Sequence, residues 1–215
     1  KKQKININIV NSLTVPSKRK EVKVIKSLNN NLVKSGLQII FAGNIGRFQG
    51  LENIIHAFKY LIEYKDIRLT IMGEGFEKSK LKKLNNKLGT NVEFRDFTSY
   101  DQAKVQIENA DLGLVSLIPN MYKYAYPSKT MAYLEQGIPI LAMIEKESDL
   151  AQDIINENIG FVIPINQHRK LANLLINLNK NRDWESNLRK NCLHFFNREF
   201  SDKVIINKWK KIIYN

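Results

Sequence analysis

Residues Leu37–Leu51 read Leu-Gln-Ile-Ile-Phe-Ala-Gly-Asn-Ile-Gly-Arg-Phe-Gln-Gly-Leu, and this stretch decides the fold. Leu37–Ala42 is a nearly continuous apolar run, which suits a strand buried on both faces of a sheet. The run stops at Gly43. Leu51, Ile54, Ile55, Phe58 and Leu61 then recur at helical spacing, predicting a helix over Leu51–Glu63. A buried strand, a glycine-rich turn and an amphipathic helix form the first half of a strand–helix–strand unit.

The same alternation continues outward. Strands are expected at Ile67–Met72, Val92–Phe94, Leu112–Val115, Ile138–Ala142 and Phe161–Ile163. Between them, helices are expected over Phe76–Leu88, Asp101–Asn109 with an acidic cap residue at its start, Ser128–Gln136 and Leu150–Glu157. Everything after Gln167 reads as helix, in two or three pieces. The class is α/β: a doubly wound, Rossmann-like parallel sheet over residues 37–200, covered on both faces. Ligands of such sheets sit at the carboxyl ends of the strands, so a site belongs in the loops after Ala42, Met72, Phe94, Val115 and Ala142.

Residues 1–36 differ from this core. Lys4–Val10 alternates isoleucine with polar residues, a half-buried strand pattern, and Asn11–Gly36 is polar and basic, like a connection. Residues 201–215 form a separate C-terminal helix carrying Trp209, Ile212 and Ile213.

The net charge of +13 is unevenly spread: residues 1–36 hold +8, residues 180–215 hold +5, and residues 37–179 balance to zero. A nucleic-acid reader would join a basic stripe to stacking aromatics or a groove-entering motif, and the neutral core has none, so no nucleic-acid partner is expected. Two readings of the basic ends stay open: solvated lysine, or a surface for anionic lipid headgroups that makes the protein peripheral to the plasma membrane. No apolar run approaches a membrane span, and the N-terminus lacks a signal region, so a cytoplasmic setting is expected. One cysteine, Cys192, and three dispersed histidines exclude a disulfide framework and leave no metal-ligand spacing.

Two constellations carry chemistry. Gly43, Gly46 and Gly50 punctuate the turn between the first strand and helix, where a ligand can approach the backbone closely and the helix N-terminus favours anions. A tight turn with no ligand would use glycine in the same way, and the spacing is not the dinucleotide pattern. Tyr126-Pro127-Ser128-Lys129-Thr130 opens a later helix. Pro127 and Ser128 fit ordinary capping, but Lys129 in the first turn opposes the helix dipole unless an anion is present. Convergence of Arg47, Lys129 and the two helix starts would suit a diphosphate.

The ordered motifs Ala42-Gly43-Asn44-Ile45-Gly46, Ile71-Met72-Gly73-Glu74-Gly75-Phe76, Ala110-Asp111-Leu112-Gly113-Leu114 and Pro127-Ser128-Lys129-Thr130 through Gln136-Gly137-Ile138-Pro139 resemble the C-terminal domain of group 1 (family 4) GT-B glycosyltransferases. The nearest branch builds capsule and O-antigen repeat units, as in WbuB-like transferases. The resemblance covers Leu37 to the C-terminus. It implies a nucleotide-diphosphate-sugar donor, expected to be a UDP-sugar, and retaining transfer of a hexosyl or N-acetylhexosaminyl group with no metal or other cofactor. It also implies a lipid-linked or glycan acceptor held by an N-terminal domain that ends within residues 1–36 and against which residues 201–215 pack. The isolated chain is expected to be inactive.

Read with the resemblance, Arg47 and Lys129, which must meet the phosphate charge, are the residues expected to carry catalysis. Gly43, Asn44, Ile45, Gly46, Gln49, Asp96, Phe97, Lys123, Tyr124, Ser128 and Glu135 are the residues expected to meet the substrate, Lys123 as a further phosphate cation. There are departures. Asn44 and Gln49 stand where many relatives have Arg and Lys. Tyr124 and Ala132 stand where many have two glutamates, the second gripping the ribose. Glu135 is either a replacement for that acid or a solvent-facing helical residue, and Phe97 is either a base-stacking ring or plain core. A non-catalytic nucleotide- or sugar-phosphate-binding module of the same fold is the alternative function.

Overall fold

The computed structural model describes residues 36–96, 99–124 and 126–214. Six strands, β1 (Leu37–Ala42), β2 (Ile67–Met72), β3 (Val92–Arg95), β4 (Leu112–Ser116), β5 (Ile140–Met143) and β6 (Gly160–Ile163), form one sheet in the order β3-β2-β1-β4-β5-β6. Every neighbouring pair is parallel. The helices are α1 (Leu51–Phe58), α2 (Lys78–Leu88), α3 (Tyr100–Glu108), α4 (Lys129–Glu135), α5 (Asp149–Asn156), α6 (His168–Lys180), α7 (Trp184–Glu199) and α8 (Asp202–Tyr214).

The period of two along each strand divides the core into two layers. Leu37, Ile39 and Phe41 of β1, with Leu69 and Ile71 of β2, pack under α1, α2 and α6. On the opposite face Ile40, Val115, Ile140 and Ala142 pack under α3, α4, α5 and α7 with Cys192, Phe195 and Phe196. Burial on both faces explains why β4 and β5 read as apolar runs, whereas β2 keeps Arg68 and β3 keeps Glu93 exposed.

β1 and β2 run as expected, and the other elements shift at their ends. The helix expected over Leu51–Glu63 leaves α geometry after Phe58 and finishes as a 3₁₀ turn, Lys59–Leu61. The cap of α3 is Ser99, whose hydroxyl accepts from the Gln102 amide at 3.4 Å, and not Asp101, which lies inside the first turn. The strand expected at Lys4–Val10, the connection after it, and Phe97 lie outside the described residues.

Candidate functional site

β1 and β4 are neighbours whose following helices go to opposite faces, so a crevice opens between them at their carboxyl ends. Their pairing is also short. It comprises Ile39↔Leu112 and Ile40↔Gly113, whereas β1–β2 pairing runs on to Ala42↔Met72 and β4–β5 pairing to Ser116↔Met143.

The loop after β1 forms one wall. Gly43 has φ +138°, a conformation that favours glycine, and a Cβ there would sit 3.6 Å from Cε of Lys129. The β2–α2 loop lies against it so closely that Gly73 has no room for a Cβ beside the Gly43 carbonyl. Ile45 is fully buried; its amide donates to Glu74 O at 2.7 Å and its carbonyl accepts from Glu77 N at 3.1 Å. Ile45 therefore holds the loop in place and offers neither peptide group to a ligand. Asn44 and Gly46 stand at the surface between these anchors, with Asn44 exposed. The other wall follows β4 and is tied across by Ile118 N donating to Phe48 O at 3.0 Å.

Lys129 enters from this second wall. Its Nζ donates to Gln49 Oε1 at 2.8 Å and lies 4.8 Å from the Phe41 ring centroid. Among the described residues no carboxylate pairs with it, and burial brings its pKa down to about 8. Gly43, Gln49 and Lys129 are thus brought together as expected. Ser128, at the N-cap of α4, is exposed and makes no capping bond, so the ordinary capping role its position suggests is not taken up.

Arg47 is engaged elsewhere. Its guanidinium carbon lies 4.2 Å over the Phe76 ring and its Nε 3.8 Å from Glu77 Oε1, on the β2 side of the loop. Convergence with Lys129 requires Arg47 to leave these contacts. Lys123 and Tyr124 are exposed on the connection before α4, with the Lys123 ammonium 5.8 Å from the Tyr122 ring centroid. Glu135 is half-buried at the far end of α4 from Lys129.

Asp96 reaches Lys78, a residue that the sequence pattern hides among the lysines of α2. The Lys78 ammonium, on a side chain 9% exposed, donates to Gly73 O at 2.8 Å, Glu74 Oε1 at 2.6 Å and Asp96 Oδ1 at 2.6 Å. Burial opposes its charge, but the bonds to Asp96 and Glu74 outweigh this and raise its pKa, while Asp96 is held below the usual carboxylate range by Lys78. Lys78 thereby joins the loops that follow β2 and β3.

Buried polar atoms without partners mark the same region. Among the described residues they are Ser116 Oγ at the end of β4, Thr130 Oγ1 beside Lys129, and Glu145 Oε2 just past β5. All lie at the carboxyl ends of β4 and β5 or in the first turn of α4. Since buried polar groups are normally satisfied, their concentration here singles out this end of the sheet. Among the described residues no group of three or more His, Cys, Asp or Glu is placed to hold a metal, and no helix is long and apolar enough to cross a membrane.

Three comparisons bear on this site. The family described as "Glycosyl transferases group 1" matches residues 25–194. The "Probable glycosyltransferase WbjE" of Pseudomonas aeruginosa is 31% identical over 139 residues, covering 63% of this chain and 34% of WbjE. The fold is that of S. aureus TarM, solved with UDP, alpha-GlcNAc-glycerol and fondaparinux: TM-score 0.71, 14% identity, 85% of this chain and 36% of TarM covered. The C-terminal domain of LpcC, a group 1 family protein of Francisella tularensis, gives a TM-score of 0.62 at 16% identity, covering 77% of this chain and 87% of that domain. The chain therefore spans about a third of WbjE and TarM but nearly the whole of the LpcC domain.

Proposed function

This chain belongs to the group 1 glycosyltransferases, and on that premise we propose that it is the part that binds the nucleotide-sugar donor, with the diphosphate seated between the Gly43–Gln49 loop and the start of α4. One observation carries the reading: Lys129 is a half-buried cation at the mouth of the sheet split with no carboxylate to answer it among the described residues. Burying a charge is costly unless it is paired, so the missing partner is supplied by an anionic ligand. Gln49 holds the ammonium in place as an acceptor, and the glycine loop passes beside it at Gly43, with Ser128 exposed at the helix start one residue before.

Arg47 is the second cation of this proposal. Its pair with Glu77 is long, and the Arg47 side chain is 68% exposed. Such a pair contributes at most about 1 kcal/mol, so exchanging it for a phosphate costs little. Positive groups at the departing diphosphate stabilise the charge that grows as the glycosidic bond breaks. The donor we infer is a UDP-sugar; the presence of UDP in TarM supports that choice of nucleotide. The reaction is retaining, metal-independent transfer of a hexosyl or N-acetylhexosaminyl group in surface polysaccharide assembly. It takes place on the cytoplasmic side, with the basic ends near the membrane surface, no nucleic-acid partner, and a lipid-linked or glycan acceptor held by another domain.

Calorimetry with UDP, GDP, ADP and dTDP and their sugars, with and without a chelator, tests this. UDP binding that survives the chelator and weakens by about 1–3 kcal/mol in Lys129→Ala is expected, the range for a charge-assisted contact. Unchanged affinity in Lys129→Ala removes the residue from the site. The second reading, a non-catalytic binding module, rests on Tyr124 and Ala132 replacing the acids of the family pattern. It predicts equal affinity for UDP and UDP-sugars and no transfer by any longer form of the protein.

A further inference from the structure

We propose that Tyr133 is a positioning residue whose hydroxyl keeps the β1–β4 ladder open and thereby seats Lys129 one turn earlier on the same helix. The inference rests on the donor-site reading and adds to it the element that shapes the crevice.

The register supplies the argument. Ile40↔Gly113 is the last pair between β1 and β4; continued by the parallel pattern, Ala42 would stand opposite Val115 and its N–H would donate to the Leu114 carbonyl. It donates instead to the Tyr133 hydroxyl at 3.0 Å, and that hydroxyl lies 3.4 Å from both Leu114 O and Ile40 O. The phenol is inserted into the bond the ladder would have made. It satisfies the freed groups, as buried backbone requires.

The ring has a socket of its own. Gly113 lies beneath it so closely that a Cβ would overlap the ring carbons, and Tyr133 is fully buried. Lys129 and Tyr133 are four residues apart on α4 and share a face. The wedge at one turn therefore fixes where the other turn delivers its ammonium, toward Gln49 and Gly43. Phenylalanine keeps the packing but cannot bridge Ala42 to Leu114, which leaves the Ala42 N–H and the Leu114 carbonyl without their partner and the crevice side of β1 free to shift.

Tyr133→Phe should weaken UDP and inorganic pyrophosphate together, each by about tenfold, since a single misplaced charge-assisted contact is worth that much. Trp184→Phe serves as control. It removes another side-chain donor, Nε1 to Leu178 O at 3.1 Å, far from the crevice, and should leave both affinities unchanged. If Tyr133→Phe loses stability as the control does but keeps its affinities, the hydroxyl is only structural and the proposal falls. A wild-type protein that binds neither probe overturns the donor reading instead. The wedge is then judged by amide exchange: selective loss of Ala42 protection in Tyr133→Phe supports it, and an unchanged Ala42 amide overturns it.

Discussion

At Lys129 the protein holds an ammonium where burial disfavours its charge, with a pKa brought down to about 8 from an ordinary 10.5. Between these values the unfolded chain binds more protons than the folded one, so stability rises with pH through that window. Below it, the full cost of burial is present. Lys129→Met should therefore raise the melting temperature at pH 7 and flatten the rise in stability from about pH 8 upward, while weakening UDP; thermal denaturation across pH and calorimetry read both. In the wild type, UDP affinity should fall as pH climbs past about 8, because binding takes the protonated form. A less stable methionine variant, or UDP affinity flat to pH 9.5, would contradict this. Lys129 was legible in the sequence because a cation in a first helical turn opposes the dipole. Tyr133 was not, since an aromatic on the buried face of a helix has the same pattern whether it packs or wedges.

The loops owe their shape to contacts between elements. Gly73 against Gly43, and Ile45 bonded to Glu74 and Glu77, lock the β1 and β2 loops together, and Lys78 extends the lock to Asp96. Lys78→Ala strands the Gly73 carbonyl and frees two carboxylates, so a loss of about 1–3 kcal/mol is expected in chemical denaturation. Hydrogen exchange should quicken at residues 73–77 and 43–46 and stay unchanged in α6 and α7. Uniform quickening would mean that the clamp serves the whole fold and not these loops. Element type and order were legible because the central strands β1, β4 and β5 are apolar runs buried on both faces and the helices between strands carry apolar residues at helical spacing. Lys78 was hidden because Phe76–Leu88 contains five lysines, and spacing does not tell the one that turns inward. The engagement of Arg47 with Phe76 and Glu77 was equally invisible, since it depends on how two loops meet.

Across the whole molecule, cationic and unpartnered polar groups gather at one end of one sheet, and on the proposed reading they serve the leaving group. Lys129, the glycine loop and, once released, Arg47 can stabilise a departing diphosphate, but among the described residues none is assigned to hold or deprotonate an acceptor hydroxyl. Orienting two reactants contributes roughly 7–11 kcal/mol to lowering a barrier, more than assistance to a leaving group alone can replace. The chain also covers only 34% of WbjE. The 215 residues should therefore bind a UDP-sugar and at most hydrolyse it slowly, with water as the unpositioned acceptor. Incubation with radiolabelled UDP-sugars and a lipid-linked acceptor should give no labelled lipid, and adding the remaining domain of a longer form should produce it. Transfer by these residues alone, at the rate of the longer form, would mean that the acceptor is held by groups on this same sheet and that its crevice is a complete active site.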